Sequence, residues 1–158
     1  MKKINWCFKA KKGVRIVDSN KNISSSYLEF AERTLSMIKF LIDGKDYLWA
    51  SVRIYYCSYY CIYSFLQRVG VKSENHDCSI EVTKFLLGKD FIEDIESFKE
   101  GRIESQYYLN VGQEKKLLES YARVKEFYLR FKEKIDSLNA KDVSILRKKL
   151  KSVLENEK

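Results

Sequence analysis

One arginine of this sequence falls among the apolar positions of a helix, where a charge needs an explanation. Read as one helix that continues through Gly101, the stretch FIEDIESFKEGRIESQYYLN places Arg102 and Gln106 on the face of Phe91, Ile95, Phe98 and Leu109. A buried guanidinium must be paired with an acid or serve a function. The helical phase therefore leaves two alternatives for Arg102, a structural ion pair or a contact to a ligand, and a kink at Gly101 would cancel the argument.

The only histidine is His76, and the stretch SENHDCS places it at the start of a predicted helix. One interpretation is a helix-start or packing role. The other is a ligand contact or a proton acceptor, because imidazole titrates near neutral pH. The sequence leaves both open.

The four cysteines do not form a familiar metal-binding pattern. Cys57 and Cys61 share a helix face, and His76 and Cys78 could join them, but no CxxC pair is present. We expect no metal and no other cofactor. We also expect all four thiols, including that of Cys7, to be free and mostly buried rather than oxidised to disulfides.

The positive charge is concentrated near the N-terminus. The chain has a formal net charge of +8, and residues 1–22 carry many lysines and arginines against Asp18 alone. Lys9, Lys11 and Lys12, with a second cluster RKKLK at residues 147–151, favour an anionic partner such as RNA. The alternative is a lysine-rich surface that serves only solubility.

The 158 residues predict a single all-α domain, because helical spacing alternates with glycines and short connections. We expect an up-and-down antiparallel bundle of five to six helices in all, with the main bundle over residues 24–138. A short extended or hairpin arm precedes it at residues 1–23, and a C-terminal helix follows at residues 139–158. No apolar run reaches the length of a membrane span and no signal peptide is evident, so we expect a cytoplasmic protein.

Local patterns predict several element ends. Ser26 and Glu29 form a capping-box pattern for the first bundle helix, and Gly44 could close that helix in a left-handed conformation. The next helix is expected to end at Gly70. The arm is expected to be extended, because its apolar residues alternate at Ile4, Trp6 and Phe8.

The helix at residues 51–69 is aromatic on two faces. One face is an ordinary core stripe with Tyr55 and Tyr59 at its edge. The other face carries Arg53, Tyr56, Tyr60, Tyr63 and Gln67. Tyrosine is favoured where one end is dry and the other needs a partner. We therefore expect the three tyrosines of this second face in a homodimer interface and Arg53 near a ligand. The alternative is a helix surrounded completely by its own bundle.

Several spaced motifs together resemble a HEPN domain, the higher eukaryotes and prokaryotes nucleotide-binding domain. They are YLEFAERTL, WASVRIYYCSYYCIYSFLQRVGVKSENHDCSIEVTKFLL and FKEGRIESQYY, and they are similar to the prokaryotic branch with a YYA-x-YY second helix. The resemblance implies a helical bundle that pairs as a homodimer. Many members are metal-independent ribonucleases, often toxins paired with a nucleotidyltransferase antitoxin.

The resemblance also implies a site. The family's active site carries an Arg followed within a few residues by a His, and it is assembled across the dimer. Arg102 falls where that Arg lies, but Tyr107 stands where the His would be, and a tyrosine hydroxyl is a poor base at neutral pH. With Tyr108 and Gln106 beside it, Arg102 is better equipped to hold RNA or a nucleotide than to cut it. His76 of the other protomer is an alternative base.

Three functional hypotheses follow. The first is a dimeric HEPN protein that binds RNA or nucleotide, perhaps with a nucleotidyltransferase partner, and lacks the catalytic His. The second is an active metal-independent ribonuclease, so whether the protein is an enzyme stays open. The third is a helical interaction module with no nucleic-acid role.

Overall fold

The structure, a computed structural model, describes residues 2–155 as a helical bundle with one small two-stranded ribbon. The elements in chain order are α1 (Lys2–Lys9), β1 (Val14–Ile16), α2 (Lys21–Asp43), α3 (Tyr47–Val69), β2 (Val71–Ser73), α4 (His76–Leu87), a 3₁₀ turn (Asp90–Ile92), α5 (Asp94–Tyr107), α6 (Glu114–Ser137) and α7 (Ala140–Glu155). The predicted all-α bundle is confirmed. The described residues hold one helix more than predicted, because the arm itself begins with α1.

The central element is α3. It packs against α2, α5 and α6 and also contacts α4 and α7. A helix that is apolar on nearly every side is stable only when neighbours surround it. Its side chains Tyr55, Ile62 and Phe65 are fully buried, and truncating a core side chain of this size typically costs about 2–5 kcal/mol.

The predicted phase of α5 holds for Ile95, Phe98 and Arg102, because the helix runs without interruption through Gly101. It is wrong for Gln106 and Leu109, which are exposed because α5 ends at Tyr107 and its last turn projects beyond the core. A Cβ added to Gly101 would make an ordinary contact with the Ser51 hydroxyl oxygen at 3.4 Å, so α5 lies beside α3 at this point. Ile95 and Phe98 are buried on this side of α5. The continuous helix thereby carries Arg102 towards α3.

The arm is extended only in its second half. β1 pairs antiparallel with β2, so that Val14 lies opposite Ser73 and Ile16 opposite Val71. The partner of β1 is therefore β2, which follows α3 in the chain. It is not the segment before Gly13, which a hairpin around that glycine would have used. This ribbon fastens the arm to the C-terminal end of α3.

The first half of the arm corrects the predicted alternation. Residues 2–9 form a helix, not a strand, in which Ile4 and Cys7 are buried and Trp6 is 56% exposed. The buried pair follows helical spacing, and Phe8 also packs against the core. An alternation of only three apolar residues is too short to distinguish the two-residue period of a strand from the 3.6-residue period of a helix.

The cysteines correct a second prediction. Cys7 of α1 and Cys78 of α4 form a disulfide, whereas Cys57 and Cys61 are free and buried. The expectation of free thiols was therefore wrong for the first pair. The two sulfurs are far apart in sequence, and only the packing of α1 on α4 brings them together.

The ends of α2 also differ from the prediction. Asn20 is the N-cap, and its Oδ1 accepts a hydrogen bond from the Ile23 amide at 2.9 Å, so Ser26 lies inside the helix. At the other end Gly44 has φ −76°, and the left-handed residue is Lys45 with φ 60°. An Asx cap outweighed the capping-box pattern.

Three chain segments meet at Gly70, which ends α3 as predicted and has a left-handed conformation with φ 82°. Arg147 Nη1 donates to the carbonyl oxygens of Val17 at 2.7 Å, Val69 at 2.8 Å and Gly70 at 3.3 Å. Lys149 Nζ donates to a carbonyl oxygen of α4. Part of the predicted basic cluster at residues 147–151 is thus committed to docking α7.

Within residues 2–155, no helix combines the length and the apolar character needed to cross a membrane.

Candidate functional site

A tyrosine inside the bundle organises the candidate site. Tyr55 of α3 is fully buried, and its hydroxyl oxygen lies 2.8 Å from Nδ1 of His76. Burial raises the pKa of Tyr55 well above its ordinary value. The hydroxyl therefore keeps its proton, and Tyr55 positions the imidazole instead of acting as a base.

The start of α4 fixes His76. Asn75 caps the helix, and its Oδ1 accepts a hydrogen bond from the Cys78 amide at 3.1 Å. The imidazole stacks on Tyr59, with ring centroids 3.8 Å apart and planes 17° apart. Because Nδ1 is directed at Tyr55 and Nε2 bonds to no residue of the described part, Nε2 can meet a ligand.

The surroundings of His76 favour the neutral imidazole. Partial burial lowers its pKa, the charges of Arg102 and Lys99 lower it further, and Asp77 opposes them. Asp77 and Lys99 form an ion pair with each other. A neutral imidazole at physiological pH can accept a proton.

Arg102 reaches the same tyrosine from α5. Its guanidinium carbon lies 4.7 Å from the centroid of the Tyr55 ring and 6.0 Å from that of Tyr56. No Asp or Glu of residues 2–155 forms an ion pair with it, and its Nε is buried without a hydrogen-bond partner. The structural ion pair considered from the sequence is therefore absent from the described residues.

The cluster gathers two complementary groups in a single chain. Tyr55 contacts both the neutral imidazole of His76 and the unpaired guanidinium of Arg102. A guanidinium can hold a phosphate through two parallel hydrogen bonds, and an imidazole can take a hydroxyl proton. The chemistry available is phosphate binding next to a base.

The remaining predicted residues of α5 lie apart from this cluster. Tyr107 and Tyr108 are 69% and 71% exposed, and Gln106 is exposed as well. Tyr107 follows Arg102 by five residues, which turns it to another side of the helix. We call Tyr107 and Tyr108 the aromatic end of α5.

The second face of α3 remains partly exposed in the single chain. Tyr56, Tyr60 and Tyr63 are half-buried, and they continue onto α2 through Tyr27 and Phe30. The ring centroids of Tyr27 and Tyr63 are 4.7 Å apart, and those of Phe30 and Tyr60 are 6.0 Å apart. We call these five side chains the aromatic face.

The polar residues that bracket this face have different surroundings. Arg53 is half-buried beside Tyr60, whose raised pKa it partly offsets. Gln67 is buried, and its Nε2 donates to the Val71 carbonyl oxygen at 3.4 Å. Only Arg53 is therefore placed to meet a ligand.

The basic residues of the arm lie beside the ribbon, whose second strand, β2, precedes α4. Lys9 ends α1, Lys11 and Lys12 follow it before β1, and all three are exposed. Arg15 of β1 lies directly opposite Lys72 of β2, and both are exposed, an arrangement of like charges that is unfavourable without an anion. We call Lys12, Arg15 and Lys72 the basic ribbon.

Sequence reasoning missed the tyrosines that hold the site together. Tyr55 and Tyr59 were assigned to the edge of the core stripe, which is correct for their rings. Their hydroxyls were overlooked, although a buried tyrosine needs a polar partner and the single histidine was available. Asp77 and Lys99 were also missed, since their pairing joins two helices.

The described residues contain no group of three His, Cys, Asp or Glu side chains that could hold a metal ion. Cys57 and Cys61 lie inside α3, while Cys78 is bonded to Cys7. The cysteines and His76 therefore do not share one site.

Comparison with known proteins gives one match. The family model of the HEPN domain matches residues 24–153, which is most of the chain. The chain matches no curated protein and no solved structure.

Proposed function

This chain belongs to the HEPN domain family, and we propose that it binds single-stranded RNA along α3 with Arg102 as the central phosphate contact. The observation that carries the proposal is the Arg102 guanidinium, which lies on Tyr55 beside His76 and has no carboxylate partner among the described residues. A half-buried cation without an acid is costly unless an anion joins it.

The order of side chains along α3 supports a linear track for RNA. The basic ribbon lies at the C-terminal end of α3, since β2 follows it directly. His76 meets Tyr59 and Tyr55, and Arg102 meets Tyr55 one turn further along. The aromatic end of α5 follows, where exposed rings can stack on bases.

The binding test uses fluorescence anisotropy with a labelled single-stranded RNA at several salt concentrations. Arg102→Gln should weaken binding about ten-fold or more, because it removes a charge-assisted bidentate contact. Arg102→Lys should also bind weakly, since a point charge cannot replace a planar fork. Arg123→Gln is the matched control, because Arg123 is already paired with Asp94. Equal binding by all variants would reject the proposal.

A second candidate function is metal-independent RNA cleavage, favoured by the presence of His76 in the Arg102 cluster. Neutral His76 would take the proton of a ribose 2′-hydroxyl, and the 2′-oxygen would attack the adjacent phosphorus. Arg102 would stabilise the charge on the phosphoryl oxygens while the 5′-oxygen leaves and takes a proton from water. The products would be a 2′,3′-cyclic phosphate and a free 5′-hydroxyl.

Cleavage is tested in chelator with the wild type, Arg102→Gln and His76→Gln. Loss of cleavage in both variants would support this candidate. If the RNA stays intact with the wild type and with both variants, the cleavage candidate is rejected and RNA binding remains the proposed function. Cleavage that survives in His76→Gln would exclude His76 as the base.

Homodimerisation through the aromatic face belongs to the same proposal, as does a nucleotidyltransferase partner in a toxin–antitoxin pair. Dimers are common in the family, and the half-buried tyrosines support a self-complementary surface. Copurification from the native host would identify the partner and any bound RNA. A cytoplasmic location stays a prediction.

A further inference from the structure

The described side chains of α1 pack chiefly on α4 and β1. They include the buried Ile4 and Cys7, and Phe8 also packs against the core. The disulfide to Cys78 is the only covalent tie of α1 to α4. A short helix at the edge of a fold opens at a lower free energy once a crosslink is removed.

A surface groove lies beside the disulfide. A groove of about 220 Å³ lies between α1, α4 and α5, and Cys7 lines it together with Trp6, Asp77 and Lys99. Both cysteines are almost completely buried, and Cys7 alone of the two lines the groove. A nucleophile would therefore approach the sulfur of Cys7 when α1 moves.

The same disulfide adjoins the candidate site. Cys78 lies in the first turn of α4, two residues after His76. The ion pair of Asp77 and Lys99 lines the groove, and both charges act on the imidazole. Movement of α1 would thus change the surroundings of His76.

We propose that Cys7 and Cys78 are a reversible dithiol–disulfide pair that controls whether α1 is docked beside the Arg102–His76 cluster. In the oxidised state α1 is fixed to α4. In the reduced state α1 separates, the groove opens and the basic arm loses its anchor. The docking change stands independently of RNA, and only its effect on binding rests on the proposed function.

The reducing step needs a dithiol as co-reactant. Its thiolate attacks Cys7 Sγ, the Cys7–Cys78 bond breaks, and Cys78 leaves as a thiolate that then takes a proton. The N-terminal turn of α4 stabilises that leaving thiolate. The second thiol of the dithiol then displaces Cys7, so two electrons and two protons reach the protein and the dithiol becomes a disulfide.

The first experiment measures docking without RNA. The oxidised and the dithiothreitol-reduced protein are compared by native alkylation and by hydrogen exchange. Reduction should make Cys7 and Cys78 reactive while buried Cys57 and Cys61 stay protected. Amide exchange in α1 should rise about ten-fold or more. Cys7→Ser/Cys78→Ser should behave as the reduced protein, and Cys57→Ala/Cys61→Ala should keep the redox response.

Several outcomes would overturn the proposal. They are an intact mass without the disulfide after oxidation, unchanged exchange in α1 after reduction, or unfolding of the whole bundle on reduction. The last result would make the disulfide a structural crosslink.

The second experiment separates the two proposals. RNA affinity is measured for both redox states, and we expect reduction to weaken it by a factor of about three to ten because the arm contacts loosen. If α1 responds to reduction while neither state binds RNA, the proposed function fails and the redox pair stands. If RNA binds equally in both states with α1 docked in each, the redox pair fails alone.

Discussion

Tyr55 shows how one side chain can serve the core and a site at once. Its ring is fully buried, its hydroxyl meets His76, and its ring face carries Arg102. Burial makes the ring position rigid, because core side chains occupy single rotamers at high packing density. The two polar groups thereby acquire a fixed separation without contacting each other through a hydrogen bond.

The first prediction concerns the pKa of His76. Because it is the only histidine, its NMR titration can be followed without assignment. We expect a pKa below the ordinary value, since burial and the charge of Arg102 both disfavour the imidazolium. Arg102→Gln should raise the pKa of His76, and Arg123→Gln should not change it. If the pKa of His76 does not change in Arg102→Gln, the two side chains do not lie close together and the cluster is contradicted.

The same depressed pKa has a consequence for stability. The unfolded chain binds a proton at His76 at a higher pH than the folded chain does, so acidification favours unfolding. The contribution of His76 is complete above about pH 6.5 and is lost as the pH falls through the lower folded pKa. Urea unfolding at several pH values should show this loss in the wild type and not in His76→Gln.

The sequence predicts the helix face on which Arg102 lies, but it does not predict which residues of the other helices contact it. Helical spacing correctly directed Arg102 inward, because the 3.6-residue period depends only on local geometry. The meeting of His76 with Tyr55 joins residues on different helices, and Asp77 pairs with Lys99 across another boundary. Such contacts follow from tertiary packing, which no local pattern encodes.

Among the elements, ends with a strong local signal were the most predictable. Gly70 was expected to close α3 and does so with a positive φ. The start of α2 was misplaced because two capping signals competed, and Asn20 prevailed over Ser26. The pairing of β1 with β2 could not be predicted, since neither strand has its partner next to it in the chain.

The second prediction tests the junction at Gly70. A Cβ there would lie 1.9 Å from Arg147 Nη1 and 2.5 Å from the Val17 carbonyl oxygen, in a backbone conformation that L-residues rarely adopt. Gly70→Ala should therefore lower the free energy of unfolding by about 3 kcal/mol. Gly112→Ala is the control, because its nearest contact would be at 3.9 Å. The midpoints of thermal denaturation of the two variants are compared. Equal midpoints would show that the packing at Gly70 leaves room for a Cβ, which would contradict the prediction.

The third prediction concerns the basic ribbon. Replacing Lys12, Arg15 and Lys72 by Gln should weaken RNA binding and reduce the slope of log affinity against log salt by up to about 2. It should also raise thermal stability slightly, because the like charges of Arg15 and Lys72 face each other.

A control for the ribbon variant removes the same charge elsewhere. Lys125, Lys132 and Lys141 are exposed on α6 and α7, and their replacement by Gln should change the salt slope much less. If both triple variants lose affinity equally, binding depends on net charge and not on the ribbon.

At the scale of the whole molecule, the aromatic face is left partly exposed by the described residues. It runs along α2 and α3 and includes Tyr56, whose ring also lies near the Arg102 guanidinium. A second copy on this face would bring two clusters near one seam. This arrangement is what the dimer proposal predicts.

The fourth prediction tests that seam. Tyr60→Glu places a charge in the middle of the aromatic face and should convert dimers to monomers in sedimentation velocity runs at micromolar concentration, because burying an unpaired carboxylate is costly. Leu129→Glu is the control, since Leu129 is 60% exposed on α6. A wild-type protein that sediments as a monomer would exclude the dimer outright.

The junction at Gly70 also bears on the order in which the protein is made. Ribosomes synthesise chains from the N-terminus, so the carbonyl oxygens of Val17 and Gly70 emerge long before the guanidinium of Arg147 that joins them. Until α7 has been translated, the Val17 amide can already donate to the Gly70 carbonyl oxygen, but the three contacts of Arg147 are missing. A nascent chain therefore completes the junction between the ribbon and the end of α3 only once α7 has folded.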